Sequence, residues 1–170
     1  SVTDEEGEAR DFTTFTEGDF LIVEIATPEG TFEHGRTVYV IEYEQRDVVQ
    51  HFKDTGVDEW YWDLNGTGWA QPFGQVSANL TVDPELIPKL TGDIACYRGA
   101  EGSDETCNVS GTEGEYQVAE TGLGAHENVT VAVGFDKDTF EAPPREWYDS
   151  NKLFLPGGYM LGGAGFALMI

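Results

Sequence analysis

Apolar and polar positions along the chain fall into short runs of period two, separated by turn residues. Phe20 to Ala26 reads Phe-Leu-Ile-Val-Glu-Ile-Ala, and the turn chemistry of Thr27-Pro28-Glu29-Gly30 follows it. Arg36 to Glu44 is again β-branched and aromatic, and Asp47 to Phe52 is a shorter candidate. Between Asp58 and Leu64, the residues Trp60, Trp62 and Leu64 share one face, and Glu59, Tyr61 and Asp63 the other. Phe73 to Val82 sets Val76, Ala78, Leu80 and Val82 against Gln75, Ser77, Asn79 and Thr81, and Val129, Val131, Val133 and Phe135 alternate just as cleanly. Asp93 to Arg98 and Glu115 to Glu120 are weaker runs. Helical periodicity is missing from every window of about a dozen residues ahead of the C-terminal region. The nearest stretch, Pro84 to Leu90, is short and interrupted by Pro88. About six to eight short strands between Gly-, Pro- and Asp-rich turns predict an all-β fold, an antiparallel β-sandwich of the immunoglobulin-like kind.

The two ends read differently. Residues 1–11 form a polar, acidic lead-in with no positively charged start and no apolar run, so no signal peptide is visible. The sandwich is expected over residues 12–141 and a juxtamembrane linker over 142–152. From Leu153 to Ile170 the chain carries no charge, and those eighteen residues are the short edge of a membrane span. Gly158 and Gly162 have the small-x-x-x-small spacing used in membrane helix packing, and Trp147, Tyr148 and Lys152 sit where interfacial residues belong. The expectation is the start of a C-terminal transmembrane helix; the competing reading is an apolar core strand or buried tail. Because the sequence ends inside this run, it reads as an internal piece of a longer protein. If strands of the sandwich lie outside it, the piece should expose an unpaired edge or an apolar face.

Charge narrows the partners. Acidic residues number 32 against 9 basic ones, a net charge of −23. Such a surface repels phosphate backbones, which argues against nucleic acid, and repels anionic headgroups, which argues against flat docking on a bilayer. A solubilising surface, adaptation to high salt (only four Lys are present) and a cation site are all compatible with the composition.

Cys96 and Cys107 flank a polar, Gly-containing stretch that can turn back on itself. A disulfide there would close a short loop and would mean an oxidising compartment, whereas two free thiols are the bland alternative. Without a Cys-x-x-Cys or a nearby His, a redox pair or zinc site is weaker still.

Catalytic signatures are sparse. His34, His51 and His126 are isolated from one another, and no His-Glu-x-x-His, no Gly-x-Ser-x-Gly elbow and no phosphate-cradling glycine loop occurs. No metal and no cofactor is expected, and the chain is read as non-enzymatic. Two alternatives stay open around one segment. Trp60, Tyr61, Trp62 and Trp69 could form an aromatic platform for sugar rings, and Asp58, Glu59 and Asp63 could supply the carboxylate pair of a hydrolase. Adjacent aromatics at strand spacing more commonly build core. Asp63-Leu64-Asn65-Gly66-Thr67 opens like a calcium loop but lacks the closing Glu, Gly74 standing in its place. The Asn-x-Ser/Thr triplets at Asn65, Asn79, Asn108 and Asn128 would be glycan acceptors in a secreted eukaryotic protein, but here they are read as Asn and Thr of turns and strands.

The segment Glu59-Trp60-Tyr61-Trp62-Asp63, followed by Gly66-Thr67-Gly68-Trp69, resembles an acidic-hydrophobic-Tyr-Trp-Asn strand with a Gly-x-x-Trp turn. That is the hallmark of the YciQ-like predicted membrane proteins of bacteria, whose N-terminal part is domain of unknown function 2207. Arg36 to Tyr43 is similar to the family's preceding strand, Pro72 to Val76 to the start of its following one, and Val129 to Phe135 to its closing strand. Cys96 and Cys107 fall where the family often carries two cysteines. Trp60 stands where an aliphatic residue is common, and Asp63 replaces the usual Asn. The resemblance runs from about residue 20 to the C-terminal end. It implies a β-sandwich, a membrane location and no assigned activity. Together with the strand pattern, the expected disulfide and the terminal apolar run, it leads to the expectation of an extracytoplasmic domain held to the cell membrane by a C-terminal helix, with a structural or interaction role and an unidentified protein or glycan partner.

Overall fold

The alternating runs become strands because side chains of period two can bury one face and solvate the other. The computed structural model describes residues 1–17, 20–27, 34–52, 56–141 and 167–168. It divides into two units, Ser1–Arg46 with Gly165–Ile170, and Asp47–Ala164.

In the first unit, strands β1 (Val2–Thr3), β2 (Phe12–Glu17), β3 (Phe20–Ile25) and β4 (Val40–Ile41) form two small antiparallel ladders, β1 with β4 and β2 with β3. Val2 is buried. Asp4 folds the first turn by accepting the Glu6 and Glu8 backbone N–H groups, and the Arg10 guanidinium lies 3.7 Å from its carboxylate. Phe12, Phe15 and Leu21 of the β2–β3 hairpin are exposed.

The second unit contains β5 (Val49–Phe52), β6 (Val57–Asp63), β7 (Phe73–Thr81), β8 (Leu90–Ala100), β9 (Glu105–Thr106), β10 (Val109–Thr112), β11 (Glu115–Leu123) and β12 (Glu127–Asp136). These make a five-stranded sheet in the order β5-β6-β12-β8-β9 and a three-stranded sheet in the order β10-β11-β7, all antiparallel. Both sheets feed one core: Val76, Tyr116, Val118 and Leu123 from the smaller, Cys96, Val129, Val131, Val133 and Phe135 from the larger. β12 is the central strand and is buried on both faces. Its register with β8 shifts between Val133 and Phe135, and Gly134 lies in that irregularity. A Cβ at this position would meet Thr91 Oγ1 at 2.6 Å, so any larger residue would have to displace the Thr91 side chain of β8. The β10–β11 loop is the two-residue pair Glu113-Gly114 with φ of 55° and 88°, the positive pair of a type I′ hairpin turn.

The all-β expectation holds, with antiparallel sheets. The run Arg36 to Glu44 yields only Val40–Ile41, because β1 offers it a two-residue partner and nothing more. Four strands had no alternation to announce them: β1, β2, β9 and β10. Phe12-Thr13-Thr14-Phe15-Thr16-Glu17 spaces its aromatics by three, yet it pairs along its whole length with β3. Pro84 to Leu90 contributes a single 3-10 turn, Ile87–Lys89.

The expected transmembrane helix over 153–170 and the linker over 142–152 lie outside the described residues, apart from β13 (Ala167–Leu168), which pairs parallel with β3. Among the described residues no helix is long and apolar enough to cross a membrane.

Candidate functional site

Strand β6 carries most of the residues singled out in the sequence, and its pleat sends them to opposite sides. Asp58, Trp60 and Trp62 sit opposite Phe135, Val133 and Val131 of β12 and share their core-directed face. Glu59, Tyr61 and Asp63 sit opposite Gly134, Ala132 and Thr130 on the outer face.

On the inner side, Trp60 packs against the core and stacks on Trp62, with ring centroids 6.3 Å apart and planes 18° from parallel. Trp60 also lines an almost wholly apolar pocket of about 230 Å³, together with Val49, Leu80, Val82, Phe135 and Phe140. This is smaller than the ~300–1,000 Å³ of ordinary ligand clefts. Trp69 is fixed differently: its indole N–H donates to the Asn65 carbonyl at 2.7 Å, and its ring meets Phe73 edge-on at 5.6 Å. Tyr61 is exposed, but on the other side of β6. The four aromatic residues therefore do not line up as one platform.

Asp58 is the most deeply buried charged group described, with 2% of its surface exposed. Its Oδ1 lies 2.8 Å from His51 Nδ1, and its Oδ2 accepts the Phe140 backbone N–H at 3.0 Å. Burial pushes the carboxyl up, but the Phe140 N–H, then His51 by hydrogen bond and charge, with a smaller contribution from the Thr139 N–H, outweigh it. The net direction is down. Asp58 thus ties β5, through His51, and the turn after β12 to β6. It is a structural node whose oxygens are already engaged.

The outer face is different. Thr130 donates its hydroxyl to Asp63 Oδ1 at 2.5 Å and accepts from Asn128 Nδ2 at 3.1 Å. Burial pushes Asp63 up, the Thr130 and Asn128 hydrogen bonds pull the other way, and the Glu101 charge adds to the rise. Glu59 is raised by burial alone. The Tyr61 hydroxyl is raised too, by burial first and then by the Asp63 charge, with further pushes from Tyr97 and Glu59. Thr130 and Ala132 are small residues on the central strand, between Tyr61 on β6 and Tyr97 on β8, and are buried although they face outward. The outer face is thus a two-tyrosine, acidic surface over a small-residue floor.

Asn65 does work that the sequence did not advertise. Its Nδ2 donates to the Glu127 carbonyl at 3.0 Å and its Oδ1 accepts the Val129 N–H at 3.0 Å, so the side chain pairs with β12 as another strand would. This carboxamide is neither a calcium ligand in waiting nor a free glycan acceptor. Beside it, His126, with φ of 62°, places Nδ1 2.9 Å from the Thr67 carbonyl and donates its backbone N–H to Trp69. Among the described residues no group of three or more His, Cys, Asp or Glu could hold a metal ion.

Cys96 and Cys107 form a disulfide between β8 and the residue after β9, with Cα atoms 5.0 Å apart. The Cys107 N–H also donates to the Cys96 carbonyl. Two residues along β8, Arg98 donates to Glu120 of β11 at 2.7 Å, an ion pair that joins the two sheets of this unit.

No curated protein and no solved structure matches the chain. A family model does, that of the N-terminal domain of the predicted membrane proteins DUF2207, over residues 1–135. The match begins at residue 1, ahead of the stretch from about residue 20 that carries the resemblance, and stops at Phe135, next to the last residue of β12. The β6 strand, its Gly-Trp turn, the disulfide and the central strand all fall inside it, and the chain belongs to the DUF2207 family of predicted membrane protein N-terminal domains.

Proposed function

We propose that this chain is a non-catalytic domain on the extracytoplasmic side of a membrane protein, in which an immunoglobulin-like β-sandwich serves a structural or interaction role. The observation that carries the reading is the Cys96–Cys107 disulfide, since such bridges persist in oxidising compartments and are rare in reducing ones. The sandwich reading rests on two antiparallel sheets that share one core, and on the Arg98–Glu120 pair between them.

The hydrolase alternative loses support from geometry. Asp58 has both oxygens engaged inside the fold. Glu59 and Asp63 share the outer face of β6 but stand four residues apart, about 13 Å along a strand, beyond the ~5–9.5 Å that glycosidic carboxylates span. The sugar platform loses support because Trp60 is packed in the core and Tyr61 leaves on the opposite face.

The test is the thiol state in living cells. Cells expressing the protein are acid-quenched and alkylated with a mass-tagged maleimide, with and without prior reduction. The proposal expects Cys96 and Cys107 to label only after reduction. Full labelling without reductant would place the domain in a reducing compartment and overturn it.

A further inference from the structure

We propose that the free edge of β7 is a self-association surface, on which a second copy of this chain adds its own β7 antiparallel, with Ser77 opposite Ser77. Within the described residues β7 is the terminal strand of the β10-β11-β7 sheet, so one row of its backbone N–H and C=O groups has no ladder partner. The other terminal strands of this unit are short, four residues in β5 and β10 and two in β9, whereas β7 runs for nine. Short length is one of the ways in which proteins guard an edge; charge, proline and bulges are the others. β7 has none of these: Phe-Gly-Gln-Val-Ser-Ala-Asn-Leu-Thr contains no charge and no proline, in a chain with 32 acidic residues. Its pairing with β11 is continuous in one register from Thr81 to Gln75, so no bulge turns this part of the edge away; the ladder skips the Gly74–Gly122 position before Phe73.

The occupant follows from what β7 meets when it pairs with itself. Centred on Ser77, the register sets Val76 against Ala78, Gln75 against Asn79 and Phe73 against Thr81. At the centre of this register core-side Val76 meets Ala78 and the exposed amides of Gln75 and Asn79 meet each other, while at its ends core-packed Phe73 and Leu80 fall opposite exposed Thr81 and Gly74. No like charges fall opposite; the nearest acid, Asp83, comes opposite Gln71. Any other acidic segment would meet the same neutral strand without electrostatic gain, while the self-pairing uses apolar and amide matches already present. The opposing force is long-range repulsion between two chains of net −23, which salt screens with a Debye length of about 10 Å at 0.1 M. Association is therefore promoted by salt.

Cross-linking of the full chain at single introduced cysteines tests this. Opposite Cα atoms in an antiparallel pair lie ~4.5–5.5 Å apart, inside the range that a disulfide spans. Ser77→Cys is expected to give a reducible homodimer under mild oxidant, in higher yield at 0.5 M than at 0.05 M NaCl. Gln75→Cys alone should give at least ten-fold less, because the two copies would be about 13 Å out of step; pairing it with Asn79→Cys should restore the adduct. Ser77→Lys, at an exposed position, should abolish salt-promoted dimerisation in sedimentation velocity while leaving the melting temperature within 2 °C or so. Equal adducts at Gln75 and Ser77, no adduct at Ser77, or an adduct chiefly with a different protein would each overturn the proposal.

Discussion

At the scale of single residues, two aspartates on the same strand have opposite consequences. Asp58 faces inward and its carboxyl is held below the ordinary range; Asp63 faces outward and is raised. A lowered native pKa gives stability that is present above the unfolded value of about 3.9 and is lost as pH falls through the native one. A raised one favours folding at low pH and loses that advantage as pH climbs from the unfolded value to the native one. Asp58→Asn is therefore expected to destabilise at pH 7 by about 2–3 kcal/mol, by unpairing His51 and weakening the hold on Phe140, and to flatten the acid limb of the stability curve. Asp63→Asn keeps an acceptor for the Thr130 hydroxyl and removes a half-buried charge, so it should raise the melting temperature at pH 7. Thermal melts of both variants between pH 3 and 8 check the pair. The strand and its two faces were legible in the sequence, since Trp60 and Tyr61 alternate as expected. What Asp58 and Asp63 bind was not: His51, Phe140, Asn128 and Thr130 lie 7, 82, 65 and 67 residues away along the chain. Asn65 was obscured by its likeness to a calcium ligand and a glycan acceptor, and only the register of β12 reveals its use.

Among elements, β12 holds the second unit together. Its long alternation made it one of the clearest strands in the sequence, and it is sandwiched between β6 and β8. Its irregularity at Gly134 left no such trace, because one glycine in a strand does not say which neighbour comes close. Gly134→Val would drive Thr91 and Asp93 of β8 aside and is expected to destabilise by about 1–3 kcal/mol, read by urea denaturation. The Cys96–Cys107 bridge closes a short loop, and a Cys96→Ser/Cys107→Ser variant should lose about 3 kcal/mol, part of it from the cavity risk at the buried Cys96. Spacing allowed that bridge; only the β8–β9 pairing, which sets Tyr97 against Thr106, brings the two sulfurs together. β10 escaped notice because its four residues alternate weakly. The Glu113-Gly114 pair was the available signal, since a two-residue loop with two positive φ angles makes the hairpin.

For the whole molecule, composition and family speak more clearly than any pocket. A net charge of −23 opposes compaction, so stability should rise with NaCl between about 0.05 and 0.5 M, as measured by the urea midpoint; a flat response would mean that repulsion among the acidic residues does not limit stability. The chain belongs to a family of predicted membrane protein N-terminal domains, and the proposed extracytoplasmic location rests on the disulfide. The most direct measurement is topological. Intact cells or spheroplasts are treated with a membrane-impermeant amine reagent, and peptides carrying the exposed Lys89 and Lys137 are quantified by mass spectrometry. Labelling of both lysines without lysis is the result predicted for an extracytoplasmic domain. Labelling that appears only after the membrane is opened would put the domain on the cytoplasmic side and contradict the account.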